Sequence, residues 1–405
     1  MKLFSLIIVI MILSPWGSIY AMQSTEVGSI AEECAAEIQA AFDDSGVPSA
    51  QAAIIINDTL QWAKGFGEQP ELDTLFRTGS VTKTLTAAAF VKLHQNGTID
   101  LDDDVSDYLP FQVRHPDHPE TVITIKMVLD HTSGMSTYYQ FGQPWSDPVV
   151  DQIFEDNGIP GELPEVPDWN GIRLPLHDII NSTNINDPDA WTQTLGTRSY
   201  SNTGYFFLSF LLEYITNDTW SKYIHDNILS PLGMDDTVFN ITETSNPIAF
   251  PHIWLSNGSL LQLPIYSDYG YGAGGLITTA SDLAKFYISV MNEGEYGGIQ
   301  LFEPEYVPLM EDYLQPYGAL PGYGASANIF EADDRDIGII LFNNFPGGGV
   351  GRISSALLSA AAGCTTTTDP PPPPPPDGLF TLLLGGAAIA GIVVVVVLLI
   401  ILKRR

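Results

Sequence analysis

The chain has 405 residues, a formal net charge of −32 from 16 Lys+Arg against 48 Asp+Glu, 45% hydrophobic residues and two cysteines. It is too apolar to be a disordered polymer, and so acidic a surface repels phosphates, which argues against nucleic acid as a partner. Two cysteines make no disulfide-dense scaffold. The seven histidines show no H-E-x-x-H, H-x-H or C-x-x-C spacing, so no metal and no other cofactor is expected.

Residues 1–21 open with Lys2, continue through the apolar run Leu3–Leu13 and end on Ile19-Tyr20-Ala21, which reads as a secretory signal. An uncleaved N-terminal anchor is the alternative, and the chain is exported in both cases. The spacing predicts a helix over Ile30–Phe42, a strand over Ala50–Asn57 and a second strand over Leu60–Gly65 after a turn at Asn57-Asp58. Leu85, Ala88, Ala89, Val91 and Leu93 predict a helix over Val81–Gln95, ended by Asn96-Gly97. Helix signals continue to about residue 240, and the irregular stretch Tyr138–Asp178 is a candidate lid. Near the end, Ala325–Phe330 and Ile337–Phe342 read as strands joined by the acidic turn Ala332–Asp336, and Ile353–Ala362 reads as a last helix. Strands at both ends of a helical middle predict an α+β domain over 22–364. Its antiparallel sheet draws on residues 29–79 and 268–362, flanked by N- and C-terminal helices, with a mainly helical insertion over 80–267.

The Thr/Pro-rich segment 365–378 contains Pro370–Pro376, whose seven residues in polyproline II give a stiff spacer of roughly 20 Å. Residues 379–402 carry no charge and exceed the ~20 residues that a membrane-crossing helix needs. Lys403-Arg404-Arg405 follows at 403–405 and is expected to stay cytoplasmic. The predicted topology is single-pass in the cell membrane, with the domain outside. That domain carries about −36, a solvated and self-repelling surface. Six N-x-[ST] sequons, at Asn57, Asn96, Asn181, Asn217, Asn240 and Asn257, are surface loops if glycosylated.

Ser80-Val81-Thr82-Lys83 opens the second helix, where serine on the first turn and lysine three residues on share a face. A helix N-terminus favours charge developing on Ser80, and a lysine whose pKa is lowered by burial can take its proton. Alone, the pattern is equally an ordinary helix-start serine beside a solvated lysine. Tyr200-Ser201-Asn202 precedes the apolar helix Phe206–Ile215. A tyrosine beside Lys83 can relay protons and an asparagine amide can hold a substrate carbonyl, while the plain reading is a capped turn.

Together these stretches resemble the serine β-lactamase and penicillin-binding-protein superfamily, in its branch of class C β-lactamases, D-Ala-D-Ala carboxypeptidases, D-aminopeptidases and esterases. The resemblance runs from Ile30 to Ala362. It rests on Phe76-Arg77-Thr78-Gly79-Ser80-Val81-Thr82-Lys83, Gly97–Val105, Leu129-Asp130-His131-Thr132-Ser133-Gly134, Tyr200-Ser201-Asn202, Leu229–Met234 and Gly274–Leu283, in that order. It implies a β-lactamase/transpeptidase-like fold, Ser80 as acylated nucleophile, Lys83 and Tyr200 as the proton-transfer pair and Asn202 as a substrate contact. It also implies half an oxyanion hole at the Ser80 backbone N–H, and a satisfied, buried His131.

The family's third motif, K-T-G or H-x-G, corresponds to Pro316-Tyr317-Gly318, and no Lys, Arg or His lies between Lys285 and Arg335. Tyr317 is the candidate for the missing basic side chain, with Gly318 beside it and Ala319 as second oxyanion donor. The resemblance further implies adjacent first and last helices, which would bring Cys34 and Cys364 together as a disulfide; two unpaired thiols are the alternative. The expected function is a membrane-anchored serine hydrolase of a small-molecule, peptide, amide or ester substrate, tilted away from β-lactams. A catalytically silent surface protein that binds a ligand or partner is the alternative.

Overall fold

In strand β2 (Ser49–Ile56) apolar residues occupy both sides, because both faces of the sheet are covered: Ala50, Ala52 and Ile54 pack one way, Ala53 and Ile55 the other. The computed structural model describes residues 24–139, 152–153, 155–157, 180–255, 257–266, 271–332, 334–345 and 350–363. The predicted signal 1–21, linker 365–378, span 379–402 and tail 403–405 lie outside them, as does most of the candidate lid. Among the described residues no helix is long and apolar enough to cross a membrane.

Strand β1 (Glu26–Gly28), β2 and β3 (Thr59–Gly67) come from the start of the chain. The short strands β4 (Phe76–Arg77), β5 (His252–Trp254), β6 (Leu260–Gln262), β7 (Ile277–Thr278), β8 (Glu295–Tyr296) and β9 (Ile299–Gln300) pair among themselves. Strands β10 (Tyr317–Leu320), β11 (Tyr323–Ala332) and β12 (Arg335–Asn343) complete the main sheet, in the order β1-β3-β2-β12-β11-β10, antiparallel throughout. The early and late strands meet at the β2–β12 ladder, with Ile54 opposite Ile339.

Helix α1 (Glu32–Asp43) presents Cys34, Ile38 and Phe42 along one stripe, and its first-turn Glu32 and Glu33 suit the helix dipole. That stripe packs with Ile353, Ala356 and Leu357 of the last helix (Val350–Ala361) on one face of the sheet. Against the other face lies the main core, which includes α2 (Thr82–Gln95) and the helix Ala280–Met291. Every residue of α2 from Thr82 to Val91 is buried, as expected of a helix with neighbours on all sides.

The expected antiparallel sheet, flanking helices and long second helix are present, with shifted ends. Strands β11 and β12 run beyond Ala325–Phe330 and Ile337–Phe342 because their ladder continues from Gly324↔Asn343 to Ala332↔Arg335. The acidic loop therefore shrinks to a tight turn, with Asp334 at φ +59°. The insertion over 80–267 is less purely helical than expected, since the β5–β6 hairpin and an isolated bridge between Val238 and Ile277 lie in or against it.

Cys34 is 2% exposed and disulfide-bonded. Its expected partner Cys364 lies outside the described residues, so that pairing stands as a proposal. Thiol titration of the denatured, non-reduced chain is expected to find no free thiol. Replacing Cys34 by Ala is expected to lower unfolding stability by up to ~4–5 kcal/mol in denaturant melts, the entropy of so long a loop less any strain.

Candidate active site

Gly79 adopts φ +51°, and a Cβ there would come within 2.8 Å of the Ala319 backbone nitrogen. A side chain at Gly318 would in turn sit 1.9 Å from the Thr78 carbonyl oxygen and 2.8 Å from the Ser80 nitrogen. Two glycines thus let β10 lie directly against the 3₁₀ turn Gly79–Val81 that carries Ser80. Gln315 N donates to Thr84 Oγ1 at 2.9 Å, which fixes the entry to β10 against α2. Tyr317, Gly318 and Ala319 are therefore beside Ser80, on a strand whose Tyr317 hydroxyl is held above its ordinary pKa by burial.

Ser80 leads into α2, and Lys83 follows one turn later with no solvent exposure. Lys83 Nζ donates to Ser80 Oγ at 3.1 Å and to the Ala273 carbonyl at 2.5 Å. It also lies 5.1 Å and 5.7 Å from the ring centroids of Tyr200 and Tyr205. Burying an ammonium costs several kcal/mol. Hydrogen bonds to a charged group at roughly 1.5–3 kcal/mol each, with about 2 kcal/mol from a desolvated cation–π contact, are of a size to offset that cost.

The Ala273 acceptor belongs to the turn Tyr271–Ala273, which sequence reasoning did not select. Gly272 N donates to Ser209 Oγ, its carbonyl accepts from Thr86 Oγ1, and a Cβ there would meet both hydroxyls within 2.4 Å. Tyr271 sits at φ +41°, a conformation that non-glycine residues rarely adopt. The clustered glycines Gly270, Gly272, Gly274 and Gly275 were the available signal of close backbone approach.

Tyr200 closes the other side, with its hydroxyl 2.5 Å from Ser80 Oγ. The residue is 36% exposed, yet desolvation of the phenol pushes it up to about 12, outweighing the Ser80 hydrogen bond that pulls it down. It is protonated at neutral pH. Ser201 caps the helix Asn202–Thr216 through Gly204 N, and its own N–H donates to His131 Nδ1 at 3.1 Å. Asn202, 8% exposed, begins that helix and hydrogen-bonds to Tyr138.

His131 differs from the expected satisfied histidine. It holds φ +60°, its ring lies between those of Tyr200 and Tyr205 at 4.8 and 5.0 Å, and its buried Nε2 has no hydrogen-bond partner. With Nδ1 accepting, the neutral ring carries its proton on Nε2. Burial first, then the Lys83 and Arg198 charges, lower its pKa to about 3. His131 is thus a neutral floor beneath Tyr200.

A family model described as Beta-lactamase matches residues 34–307. The chain is 27% identical over 319 residues to the Bacillus subtilis protein named "Putative penicillin-binding protein PbpX", covering 73% of this chain and 70% of that one. It is 25% identical to an Escherichia coli protein named "Putative D-alanyl-D-alanine carboxypeptidase", covering 66% and 65%. It spans under half the length of two Dictyostelium discoideum relatives. A D-stereospecific amidohydrolase from Streptomyces superposes with a TM-score of 0.59 at 20% identity, covering 81% and 97%, which shows a shared fold.

Two outcomes follow from this geometry. Gly318→Ala is expected to push β10 off the Ser80 turn and cut the rate of Ser80 acylation by ~10²–10³, the loss typical of one oxyanion donor, measured by active-site labelling on folded protein. The unfolded chain protonates His131 near 6.5 and the folded one only near 3, so folding loses stability as pH falls through that window. In His131→Asn, which tolerates positive φ, the dependence of unfolding free energy on pH between 6.5 and 4 is expected to flatten by about one proton.

Proposed function

This chain belongs to the beta-lactamase family, one of serine hydrolases, and we propose that it is itself a hydrolase working through an acyl-enzyme on Ser80. The observation that carries this is the double contact of Ser80 Oγ, 2.5 Å from Tyr200 Oη and 3.1 Å from Lys83 Nζ. A nucleophile within reach of two proton carriers is the arrangement that acyl transfer requires.

The reactive form holds one proton fewer than the resting one, with Lys83 as the neutral amine beside the Tyr200 phenol, and in the first half-reaction the Ser80 hydroxyl proton passes to this pair as Oγ bonds to the substrate carbonyl carbon. The oxyanion is received by the backbone N–H groups of Ser80 and Ala319. The carbonyl–leaving-group bond then breaks, the departing nitrogen or oxygen takes the proton back from the pair, and Asn202 holds the substrate amide or carbonyl. In the second half water adds to the ester carbon and gives its proton to the same pair, and the ester bond then breaks as Ser80 Oγ takes that proton back, releasing the acid. Tyr200 enters as a phenol, so it passes a proton on rather than starting as a phenolate.

Pro316-Tyr317-Gly318 supplies no cation to hold a substrate carboxylate. This favours an ester, amide or peptide over a β-lactam, and it is also the feature that favours the second reading, a silent protein that binds a ligand or partner. The reading includes secretion, a C-terminal membrane anchor and an extracytoplasmic domain, carried by residues 1–21 and 379–402 of the sequence.

Intact-mass analysis of the protein after exposure to a fluorophosphonate, and separately to a penicillin, tests the proposal with Ser80→Ala as control. A Ser80-dependent fluorophosphonate adduct is expected, with little or no penicillin adduct. Penicillin labelling at a comparable rate would overturn the substrate preference, and the absence of any adduct on folded protein would select the silent binder.

A further inference from the structure

Between Glu243 and Asp268 the chain carries no Asp, Glu, Lys or Arg, although acidic residues outnumber basic ones 48 to 16 overall. This uncharged stretch contains the β5–β6 hairpin, whose cross-strand pairs are His252↔Gln262, Ile253↔Leu261 and Trp254↔Leu260. Side chains alternate between the faces of a strand. Ile253 and Leu261 pack on the main core, so Trp254 and Leu260 stand directly opposite each other on the outer face, 52% and 38% exposed.

The hairpin is held firmly at its base. His252 N donates to the Asn344 carbonyl, Asn344 Nδ2 donates to the Phe250 carbonyl, and Leu263 N donates to the Pro251 carbonyl. The Trp254 ring meets Phe345 edge-on at 5.5 Å, and Phe250, itself 40% exposed, leads into the first strand. The apolar pair is therefore presented outward by a hairpin tied down at its base.

We propose that this hairpin docks on the surface of a lipid bilayer. Tryptophan prefers the headgroup level, where its apolar ring and polar N–H are both accommodated, and the absence of charge removes the desolvation cost of approaching lipid. The strongly acidic remainder of the domain is repelled by any anionic headgroups, so an uncharged projection is a side that can approach. The choice of a bilayer over other occupants rests on the anchor reading above. Residues 364–378 separate the last described residue, Gly363, from the apolar stretch 379–402 and, even fully extended, reach no more than about 60 Å. Such a tether holds the domain at high effective concentration over the membrane.

Docking would also orient the active site. Tyr323 Oη donates to the Ala249 carbonyl at 2.7 Å, and a Cβ on Gly322 would come within 2.4 Å of Pro251 Cβ. The hairpin's entry thus packs on the turn that closes β10, the strand beside Ser80. Contact with lipid would bring that rim of the site to the membrane surface, where the substrate would have to be presented.

The test uses the full chain with phosphatidylcholine vesicles whose acyl chains are brominated, reading tryptophan emission in the unsubstituted protein and in Trp254→Phe. The emission that Trp254 contributes is expected to be quenched by the brominated lipid. Leu260→Asp is expected to lose this quenching while the chain still floats with the vesicles through its anchor. Equal fractional quenching in the unsubstituted protein and Trp254→Phe would overturn the proposal. So would a dimer in sedimentation that Leu260→Asp abolishes, which gives the face to a second copy, or a glycan mapped to Asn257 at the hairpin tip. Flotation that requires Trp254 and Leu260 would instead overturn the anchor and leave the hairpin as the membrane contact.

Discussion

An ammonium group with no access to water lies at the centre of this structure, and the surrounding elements are arranged so that it can stay there. Lys83 is carried by a helix buried on every side, and its Nζ is met by a main-chain carbonyl, a serine oxygen and two tyrosine rings. These partners come from three parts of the chain. The carbonyl needs the strained turn at Tyr271, the rings need the helix that begins at Asn202, and the serine needs the 3₁₀ turn before α2. Removing any one would leave a buried cation short of an acceptor, an expensive condition in a low-dielectric interior. The proton-transfer geometry is in this sense a product of charge burial.

The second constraint is the distance between β10 and the nucleophile turn, which is shorter than side chains allow. Gly79 and Gly318 face each other's backbones, so the strand edge and the Ser80 amide share one small space. The alkyl stem of a lysine or an imidazole is not needed for this approach. On the proposed reading, the fold keeps its oxyanion geometry while Tyr317 stands at the position matched to the family's basic residue, so that acyl transfer and carboxylate recognition are separable parts of the same strand.

Much of this was legible in the sequence because it depended on local signals. Helix α2 announced itself through Leu85, Ala88, Ala89, Val91 and Leu93, and the β11–β12 ladder through Ala325–Phe330 and the Ile-rich run Ile337–Phe342 on either side of an acidic turn. Ser80, Lys83, Tyr200 and Asn202 were marked by ordered motifs, and Gly318 and Ala319 by their place before Leu320-Pro321-Gly322-Tyr323. What escaped depended on tertiary contact. Ala273 contributes only a carbonyl, which any residue has. The unpartnered Nε2 of His131 follows from two rings closing over it, and the β5–β6 hairpin, with strands of three residues each, is too short to show an alternating pattern.

The β2–β12 ladder joins the first strands of the chain to the last, and this fixes the order in which the molecule can be completed. During synthesis β2 and β3 emerge early, while the partner for the open edge of β2 lies nearly three hundred residues downstream. Until Arg335–Asn343 arrives, that edge presents Ala52, Ile54 and Ile55 with unpaired backbone groups, a template for pairing with other chains. Such non-local pairing makes for slow folding, because the loop must close before its contacts stabilise it. A chain truncated between Tyr200 and β12 would keep Ser80, Lys83 and Tyr200 and still lack the strand that joins the two halves of the sheet.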